Sequence, residues 1–576
     1  MHLSVKAPST YFFRPELGSL ERRFIKLINT LPEDDDVLNN LDKIANDATQ
    51  SILSNETQSE LEIRWAFAIS ILSDIIALGV ELQKIDSSIQ ITWPNWESEI
   101  GHNNLRRALI RLRDEKPSIN STASELCLPP SVTPSTLLDI MTNGDFQLIE
   151  ANNQHPCGYT YHQIFQTGKQ YWTMPHRDRE GRNKRFVLVV NHSSFEYEMP
   201  VGLLEASDGA PHEPFRDKIL GLTVNSFESW FNSKSNKKEI LNEIEIFLLK
   251  LEKALMPIPK LTKLTIKEVY KRRKELERLV DNLNKDSDLF IRKRLTYLIR
   301  ISRAFKAITG LRDSSNKENS DIYSLVRLFR DLFLPRIHLD ISLCGALPPF
   351  SVALGGKLVA SFISDPRILN ICKTPPGQIL RSVFNIEKIV NLLPNKGALL
   401  LTTKGLYPGH SVQYKNAVVP GHLTNEFNYL HKIGKTRGET ASLISRRSYV
   451  LASILLESRN EDHNVSNVFG SGSSKRQRRI ALAVQKIGLP KAILQPRIER
   501  PVYAIETVTN LKDVIILNKS PHWCIPTDRG PEDYAKLAIQ AWRKRWGAEV
   551  KKRVLRQNGE VYGLRDWYNE RMRLHE

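Results

Sequence analysis

One stretch constrains this sequence more than any other: IHLDISLCGALPPFSVALGGKLVASFI, from Ile337 to Ile363. It begins with a strand-like alternation, passes through a turn rich in Gly and Pro, and continues as an apolar helix containing Gly355 and Gly356. A strand, tight turn and helix in direct succession favour a sheet with helices packed on it. The start of such a helix can also present free N–H groups to a phosphate.

The strand in this stretch carries polar residues at every second position. Alternation predicts that His338, Asp340, Ser342 and Cys344 share one face, opposite an apolar face. Cys344 or Ser342 could then be a nucleophile, with His338 as its base and Asp340 to orient the imidazole. Residues two apart on a strand project side by side, however, and do not point at one another. We therefore expect this face to line a cleft or to meet solvent.

The turn and helix suggest a ligand site more strongly. We expect Ser351 to cap the helix, because its hydroxyl can accept a free backbone N–H. Two glycines inside a helix cost roughly 1 kcal/mol each relative to Ala, so either close packing or a bound ligand must offset them. The candidate ligand-binding residues are Gly345, Ser351, Gly355, Gly356 and Lys357. Neither G-x-G-x-x-G nor G-x-x-x-x-G-K-[ST] occurs, so the spacing identifies no cofactor.

A chain of 576 residues is too long for one ordinary core. Hydrophobic periodicity predicts a helical N-terminal domain over residues 1–130 and an α+β core in two parts, 131–235 and 331–470. Between the two parts, residues 236–330 read as a long, charged helical insertion. Residues 471–576 form a basic C-terminal region.

The cysteine pattern and the apolar runs bear on the compartment. The five cysteines are scattered and form no C-x-x-C pair, so we expect neither a disulfide framework nor a structural zinc site. No apolar run is long enough for a membrane span, and the first residues lack the apolar core of a signal peptide. These features predict a cytoplasmic protein with no metal site.

The net charge of +18 is placed unevenly. From Ser471 to Glu576 there are 22 Lys or Arg against 11 Asp or Glu, a composition that attracts phosphate backbones. A solvated basic face, or a docking surface for an acidic protein, would have the same composition. The candidate nucleic-acid contacts are Lys475, Arg476, Arg478 and Arg479 in a Gly/Ser-rich loop, and Arg543, Lys544 and Arg545 in a basic helix.

Two further features are ambiguous. Trp542 and Trp546 lie four residues apart in the basic helix and could stack on bases, although this spacing more often marks a buried stripe. His410 and Tyr414 follow a predicted strand, so His410 could be a general base; a loop histidine satisfied by water is commoner. We find no metal-spaced cluster and little that indicates a metal-dependent nuclease, and whether the chain is an enzyme stays open.

Several of these stretches together resemble a bacterial family, the Druantia antiphage protein DruA and its relatives. DLFLPRIHLDISLCGALPPFSVALGGKLVA, Asp331 to Ala360, is similar to the family signature CGA-x-PP-x-N-x-LLGGKL-x-A. LLLTTKGLYPGHSVQY, VSNVFGSGSSKRQRRIALAVQKIGL and AIQAWRKRW are similar to later family blocks in the same order. Ser351, Val352 and Ala353 stand where Asn-x-Leu is usual. The resemblance spans roughly residues 150–550.

This resemblance implies a role in defence against bacteriophage, as one component of a multi-protein system that includes a large helicase-like subunit. The strand–turn–helix unit also looks like the acyl-CoA-binding segment of GNAT acyltransferases, in which a central strand splays from its neighbour and the next helix receives the pyrophosphate. The resemblance thus implies a GNAT-like mixed sheet core. An acyl-CoA-dependent transferase that modifies a nucleic acid or protein is the alternative function.

Overall fold

The fold is described by a computed structural model. The residues it describes are 36–54, 60–74 with gaps, 92–93, 96–97, 127–169, 171, 183–207, 213–258, 265–283, 289–313, 318–373, 383–393, 395–405, 413–422, 426–436, 444–459, 475–487 and 500–573. Most of the predicted N-terminal helical domain therefore lies outside the described residues.

A seven-stranded mixed sheet forms the centre of the molecule, with the order β10-β11-β7-β6-β5-β4-β3. All neighbouring strands are antiparallel except β6 and β7, which are parallel. Together with the surrounding helices, this sheet confirms the predicted α+β class. The seven strands are β3 (Asp145–Glu150), β4 (Asn183–Asn191), β5 (Met199–Ser207), β6 (His338–Ala346), β7 (Leu400–Lys404), β10 (His431–Lys435) and β11 (Pro501–Glu506). Two small hairpins are β1 (Thr92–Trp93) with β2 (Trp96–Glu97) and β8 (Val418–Pro420) with β9 (Phe427–Tyr429).

The described helices are numbered in chain order. In chain order they are α1 (Asp36–Ser54), α2 (Pro134–Asn143), α3 (Tyr161–Lys169), α4 (Pro214–Ile219), α5 (Val224–Asn232), α6 (Lys237–Ala254), α7 (Ile266–Lys271), α8 (Arg273–Asn282), α9 (Leu289–Asp313), α10 (Asn319–Ile337), α11 (Gly355–Ser361), α12 (Pro366–Leu369), α13 (Ile386–Ile389), α14 (Arg446–Glu457), α15 (Lys475–Lys486), α16 (Leu511–Leu517), α17 (Pro531–Val554) and α18 (Leu564–Arg573). No described helix combines the length and apolar character that crossing a membrane requires.

The parallel pair at the centre of the sheet is short. β6 and β7 are paired only from His338–Leu400 to Ile341–Thr403, whereas β6 continues to Ala346. Among the described residues, its second half therefore has a strand neighbour, β5, on one side only. The neighbours of β6 in the sheet are β5 and β7, with β4 one position further out beyond β5.

A β-bulge at Ser342 changes which side chains of β6 share a face. Leu343 pairs with Glu205 and Ile341 with Ala206, so Ser342 has no partner position. Beyond the bulge the faces exchange: Cys344 joins the core that contains Leu339 and Ile341, and Leu343 belongs to another. The expectation of four polar residues on one face is wrong, because strict alternation ends at the bulge.

The helical block of residues 237–337 packs on the sheet. The buried side chains of α6 and α10 share one hydrophobic core with Leu400 of β7 and with Ala504 of β11. Val269 of α7 and Leu276 of α8 belong to a separate cluster with part of α9. The last helix of the block, α10, ends at Ile337, and β6 begins at the next residue, so the block is connected directly to the central strand. On the other face, α11 and α17 share a core with β3 to β6. Phe362 and Tyr534 join these two helices through an edge-on ring contact with centroids 6.4 Å apart.

Cys127 and Cys157 are joined by a disulfide, contrary to the expectation of no disulfide. Spacing could not reveal the pair, because the fold brings the segment before α2 against the loop between β3 and α3. Cys344, Cys372 and Cys524 take no part in a disulfide.

Candidate functional site

A pocket with a volume of about 470 Å³ lies where the turn before α11, the 415–416 turn and α17 meet. It is lined by Leu354, Lys357, Lys415, Asn416, Arg545, Trp546, Ala548, Glu549, Lys552 and Arg553. The pocket thus joins Lys357, from the stretch that most constrains the sequence, to Arg545 in the basic C-terminal region. The sequence predicts these two residues as parts of separate sites.

The lining of this pocket is strongly positive. Among the described residues, it carries five basic side chains and a single carboxylate, Glu549. Glu549 lies one helical turn before Arg553 and pairs with it, Oε1 to Nε, at 3.0 Å. A concentration of cations around one concave surface attracts anions with several charges, phosphate groups among them.

Lys357 lies at the base of the pocket and is only 4% exposed. Its ammonium donates to the carbonyl of Lys415 at 2.5 Å and to that of Gln413 at 3.4 Å. The same nitrogen lies 4.4 Å from the ring centre of Trp546. Burial, together with the nearby charges of Arg553 and Arg545, lowers the pKa of Lys357 to about 8.

The gap beside the second half of β6 is filled by the chain itself. The side-chain amide of Gln413 donates to the carbonyl of Cys344, which lies beyond the four positions at which β6 pairs with β7. The hydroxyl of Tyr414 reaches the same carbonyl at 3.5 Å. Gln413 and Tyr414 thus take the place of a neighbouring strand.

Close packing within the chain requires glycine at position 355, whereas Gly356 faces only the side chain of Gln413. α11 begins at Gly355, so the glycines open the helix and do not interrupt it. A Cβ on Gly355 would lie 2.6 Å from the carbonyl oxygen of Phe350 and 2.9 Å from the Cβ of Ala346. A Cβ on Gly356 would meet the side chain of Gln413 at 3.3 Å.

Of the predicted ligand set, only Lys357 belongs to the described lining of the pocket; Gly345, Ser351, Gly355 and Gly356 lie outside it. Ser351 does not cap α11: the residue before the helix is Leu354, with a left-handed φ of 57°, and it provides no side-chain cap. Ser351 is exposed in the preceding turn. Gly345 is buried within β6 opposite Leu203.

His338 and Asp340 are joined by a hydroxyl from the neighbouring strand. Nε2 of His338 lies 2.8 Å from Oγ1 of Thr402, and Thr402 donates to Oδ1 of Asp340 at 3.0 Å. All three side chains are at most 3% exposed. His338 and Asp340 therefore meet neither solvent nor the pocket, contrary to expectation, and they link the two parallel strands through Thr402. Ser342, further along β6, is partly exposed.

Of the remaining catalytic candidates, the structure describes Cys344 and Tyr414, and both are held in their protonated forms. Burial raises the pKa of the Cys344 thiol to about 12, which keeps it in the poorly nucleophilic protonated form. Burial also raises the pKa of Tyr414 well above its ordinary value. His410 lies outside the described residues.

The three consecutive basic residues of α17 point in different directions. Arg543 donates to the carbonyl of Gly144 at 2.7 Å and to that of Met141 at 3.3 Å, so it secures α17 against the end of α2. The ammonium of Lys544 lies over the ring of Phe427. Arg545 lines the pocket and contacts Trp546 at 4.4 Å from the ring centre.

The predicted basic loop is helical from its first basic residue. α15 runs from Lys475 to Lys486, as expected for a segment rich in Arg, Gln, Ala and Lys. Arg479 donates to the hydroxyl of Tyr449 in α14 at 2.8 Å. Arg478 is partly buried, and the side chains of Lys475 and Arg476 lie outside the described residues.

Sequence reasoning missed three of the pocket's five cations: Lys415, Lys552 and Arg553. Lys552 and Arg553 continue the stripe of Arg545 along α17 at helical spacing, a signal that the sequence contained. Lys415 follows the Gln413–Tyr414 pair in a turn, and no local pattern connects it to the C-terminal helix.

The architecture is therefore that of a mixed α/β protein with a basic pocket beside its central strand. The family model described as Druantia protein DruA matches residues 213–517, more than half of the chain, so the chain belongs to this family. The match includes the helical block, the central strand–turn–helix unit and β11.

A curated relative is similar to part of the chain. The Druantia protein DruA of Escherichia coli (strain UMEA 4076-1) is 24% identical over 189 residues, which are 31% of this chain and 42% of the relative. The chain thus spans less than half of that relative's length in the matched region. No solved structure matches the chain.

Proposed function

We propose that this protein is a cytoplasmic component of a Druantia-type antiphage defence system and that it binds nucleic acid at the basic pocket. Membership of the DruA family supports the first part. The observation that carries the second is the convergence of five basic side chains on one pocket with a single carboxylate.

A phosphate backbone is the ligand that suits this surface best. Arg545 and Lys552 are exposed on the same helix, and Lys415 is exposed across the pocket from them. Lysine and arginine that contact phosphates release condensed counterions, so affinity depends steeply on salt. The C-terminal excess of 22 basic over 11 acidic residues extends the attraction beyond the pocket.

The experiment is a fluorescence-anisotropy titration of labelled DNA and RNA across a salt series. The pocket variant carries Lys415→Gln, Arg545→Gln and Lys552→Gln. The control carries Lys238→Gln, Lys250→Gln and Lys274→Gln, three exposed lysines on the helical block, so both variants change the net charge equally. We expect the pocket variant alone to reduce the slope of log affinity against log salt, by about 1 for each phosphate that it no longer neutralises. Equal effects of the two variants would mean that affinity depends on the net charge of the protein and not on the pocket.

We propose the basic start of α15 as a second contact. Neutralising Lys475, Arg476, Arg478 and Arg479 together tests it in the same titration. Arg479 also bonds Tyr449, so a further variant, Tyr449→Phe, removes the hydrogen bond between α14 and α15 while the charge stays. Unchanged affinity in the fourfold variant would remove α15 from the interface.

The resemblance also implies a large helicase-like partner within the same defence system. Co-purification of the tagged chain with the other components tests this partnership. The pocket variant should still co-purify if the pocket serves nucleic acid and not assembly.

A GNAT-like transferase is the second candidate, and one observation favours it. β6 and β7 are parallel, pair over four positions and then part, which is the splayed arrangement that the GNAT resemblance implies. A donor entering this gap would have to displace Gln413 from the Cys344 carbonyl. Acyl-CoA at 100 times its dissociation constant would stabilise the fold by about 2.7 kcal/mol. A thermal-shift screen with acyl-CoA compounds, on wild type and Gln413→Ala, measures this; no shift in either removes the candidate.

A further inference from the structure

We propose that Cys127, His155 and Cys157, when the cysteines are reduced, bind one Zn²⁺ ion. The three residues lie before residue 213 and thus outside the family match. They are the one group of His, Cys, Asp or Glu side chains in the described part of the chain whose donor atoms are close enough to hold a metal ion.

The donor set and its dimensions suit zinc. One atom from each residue, two Sγ and one imidazole nitrogen, lies within 4.8 Å of the other two. Thiolate and imidazole are the ligands that zinc prefers, at about 2.3 Å and about 2.0–2.1 Å. Three protein ligands leave the fourth tetrahedral position to water.

His155 is already oriented as a ligand. The side chain is 2% exposed, and its Nε2 lies 2.9 Å from the carbonyl oxygen of Glu198. Because a carbonyl only accepts, Nε2 carries the proton and the lone pair belongs to Nδ1. A ligating histidine commonly has its second nitrogen bound to a carbonyl in this way.

The lone pair of Nδ1 faces the cysteines. Nδ1 lies 2.8 Å from Sγ of Cys157 and accepts the backbone N–H of the same residue at 3.1 Å. In the disulfide, no proton lies between Nδ1 and Sγ of Cys157, although both atoms carry lone pairs. After reduction, a thiol proton or a metal ion could bind between them.

The site would hold two separate parts of the chain together. Cys127 is fully buried at the start of the segment before α2, and Cys157 is partly exposed in the loop after β3. That segment also pairs with the C-terminal end through Val132 and Val561. The disulfide and the zinc site would make the same connection in oxidised and reduced protein.

The disulfide form and the zinc-bound form interconvert by reduction and metal binding. Reduction of the disulfide by a dithiol or phosphine takes two electrons and two protons and yields two thiols. Binding of Zn²⁺ by both sulfurs then releases the two thiol protons to solvent. Oxidation of the loaded site reforms the disulfide and releases the ion.

The test uses full-length protein purified with a phosphine reductant and no chelator. Elemental analysis should find about one zinc per chain, the occupancy of a single site. Co²⁺ added in its place should give thiolate charge-transfer absorption. Cys157→Ser and His155→Gln should weaken binding by at least about tenfold, as loss of even an outer partner does. Cys524→Ser is the matched control, a free cysteine outside the group, and should keep the metal.

A second arm uses wild type alone, in case the variants fold poorly. Zinc-loaded protein should protect Cys127 and Cys157 from alkylation, and an oxidant such as diamide should release the zinc as two thiols disappear. Reduced wild type that binds neither Zn²⁺ nor Co²⁺ would overturn the proposal, as would a Cys157→Ser variant that retains the metal.

Discussion

The ammonium of Lys357 lies 4.4 Å from the ring centre of Trp546. This contact joins α11, the helix after the central strand, to α17. Arg545 contacts the same ring at the same distance. The indole thus lies against two cations of the pocket and stabilises them through its electron-rich face.

The pKa of Lys357 gives a pH-dependent contribution to stability. The folded pKa is about 8, below the ordinary value of 10.5. From about pH 8 to pH 10 the unfolded chain therefore binds more protons, and stability rises with pH. We expect the free energy of unfolding of wild type, minus that of Lys357→Met, to increase over this window. Urea titrations at several pH values measure the difference, and a constant or falling difference would contradict the lowered pKa.

The two tryptophans of α17 should behave differently. Trp542 is 1% exposed in the main core, so Trp542→Ala should cost about 3–5 kcal/mol. Trp546 is partly exposed in the pocket lining, and Trp546→Leu should mainly remove cation–π interactions worth about 0.5–2 kcal/mol. Chemical denaturation compares the costs. A larger cost at Trp546 than at Trp542 would mean that the pocket wall, and not the core stripe, holds α17.

Much of the fold could be predicted because periodic patterns are local. The central strand and its turn follow from alternation and turn residues. The bulge at Ser342 could not, because a bulge depends on how Ile341 and Leu343 pair with β5. The one extra residue at the bulge places Cys344 on the same face as Leu339 and Ile341. Cys344 therefore does not share a face with His338 and Asp340, as the sequence predicts.

The pocket is predictable in its parts but not as a unit. Lys357 is identified from a helix start and Arg545 from a basic helix, and each has its own local signal. Their meeting depends on α11 and α17 packing on the same face of the sheet. No sequence period reveals such long-range packing. The Cys127–Cys157 pair escapes prediction for the same reason.

The Thr402 hydroxyl should support the parallel strand pair. Thr402→Val removes the group that connects His338 to Asp340. Each then lacks one buried partner, which costs about 1–3 kcal/mol for an unsatisfied group. Thr402→Ser keeps the hydroxyl and should cost clearly less. Thermal or urea unfolding of the two variants checks this, and equal costs would assign the effect to the methyl group.

The adjacent glycines at the start of α11 should differ sharply when changed to alanine. At Gly355 the new Cβ would press on the Phe350 carbonyl and on Ala346 at 2.6 and 2.9 Å, neither of which can rotate away. Overpacking of this kind costs about 1–3 kcal/mol.

At Gly356 the new Cβ meets only the Gln413 side chain, at 3.3 Å, and a small rotation relieves the contact. Replacing glycine by alanine at a compatible backbone position also restricts the unfolded chain, a gain of about 0.4–1 kcal/mol, which makes Gly356→Ala nearly neutral or stabilising. Denaturant unfolding of both variants tests the difference, and a severe destabilisation at Gly356 would show that Gln413 cannot move from the gap beside β6.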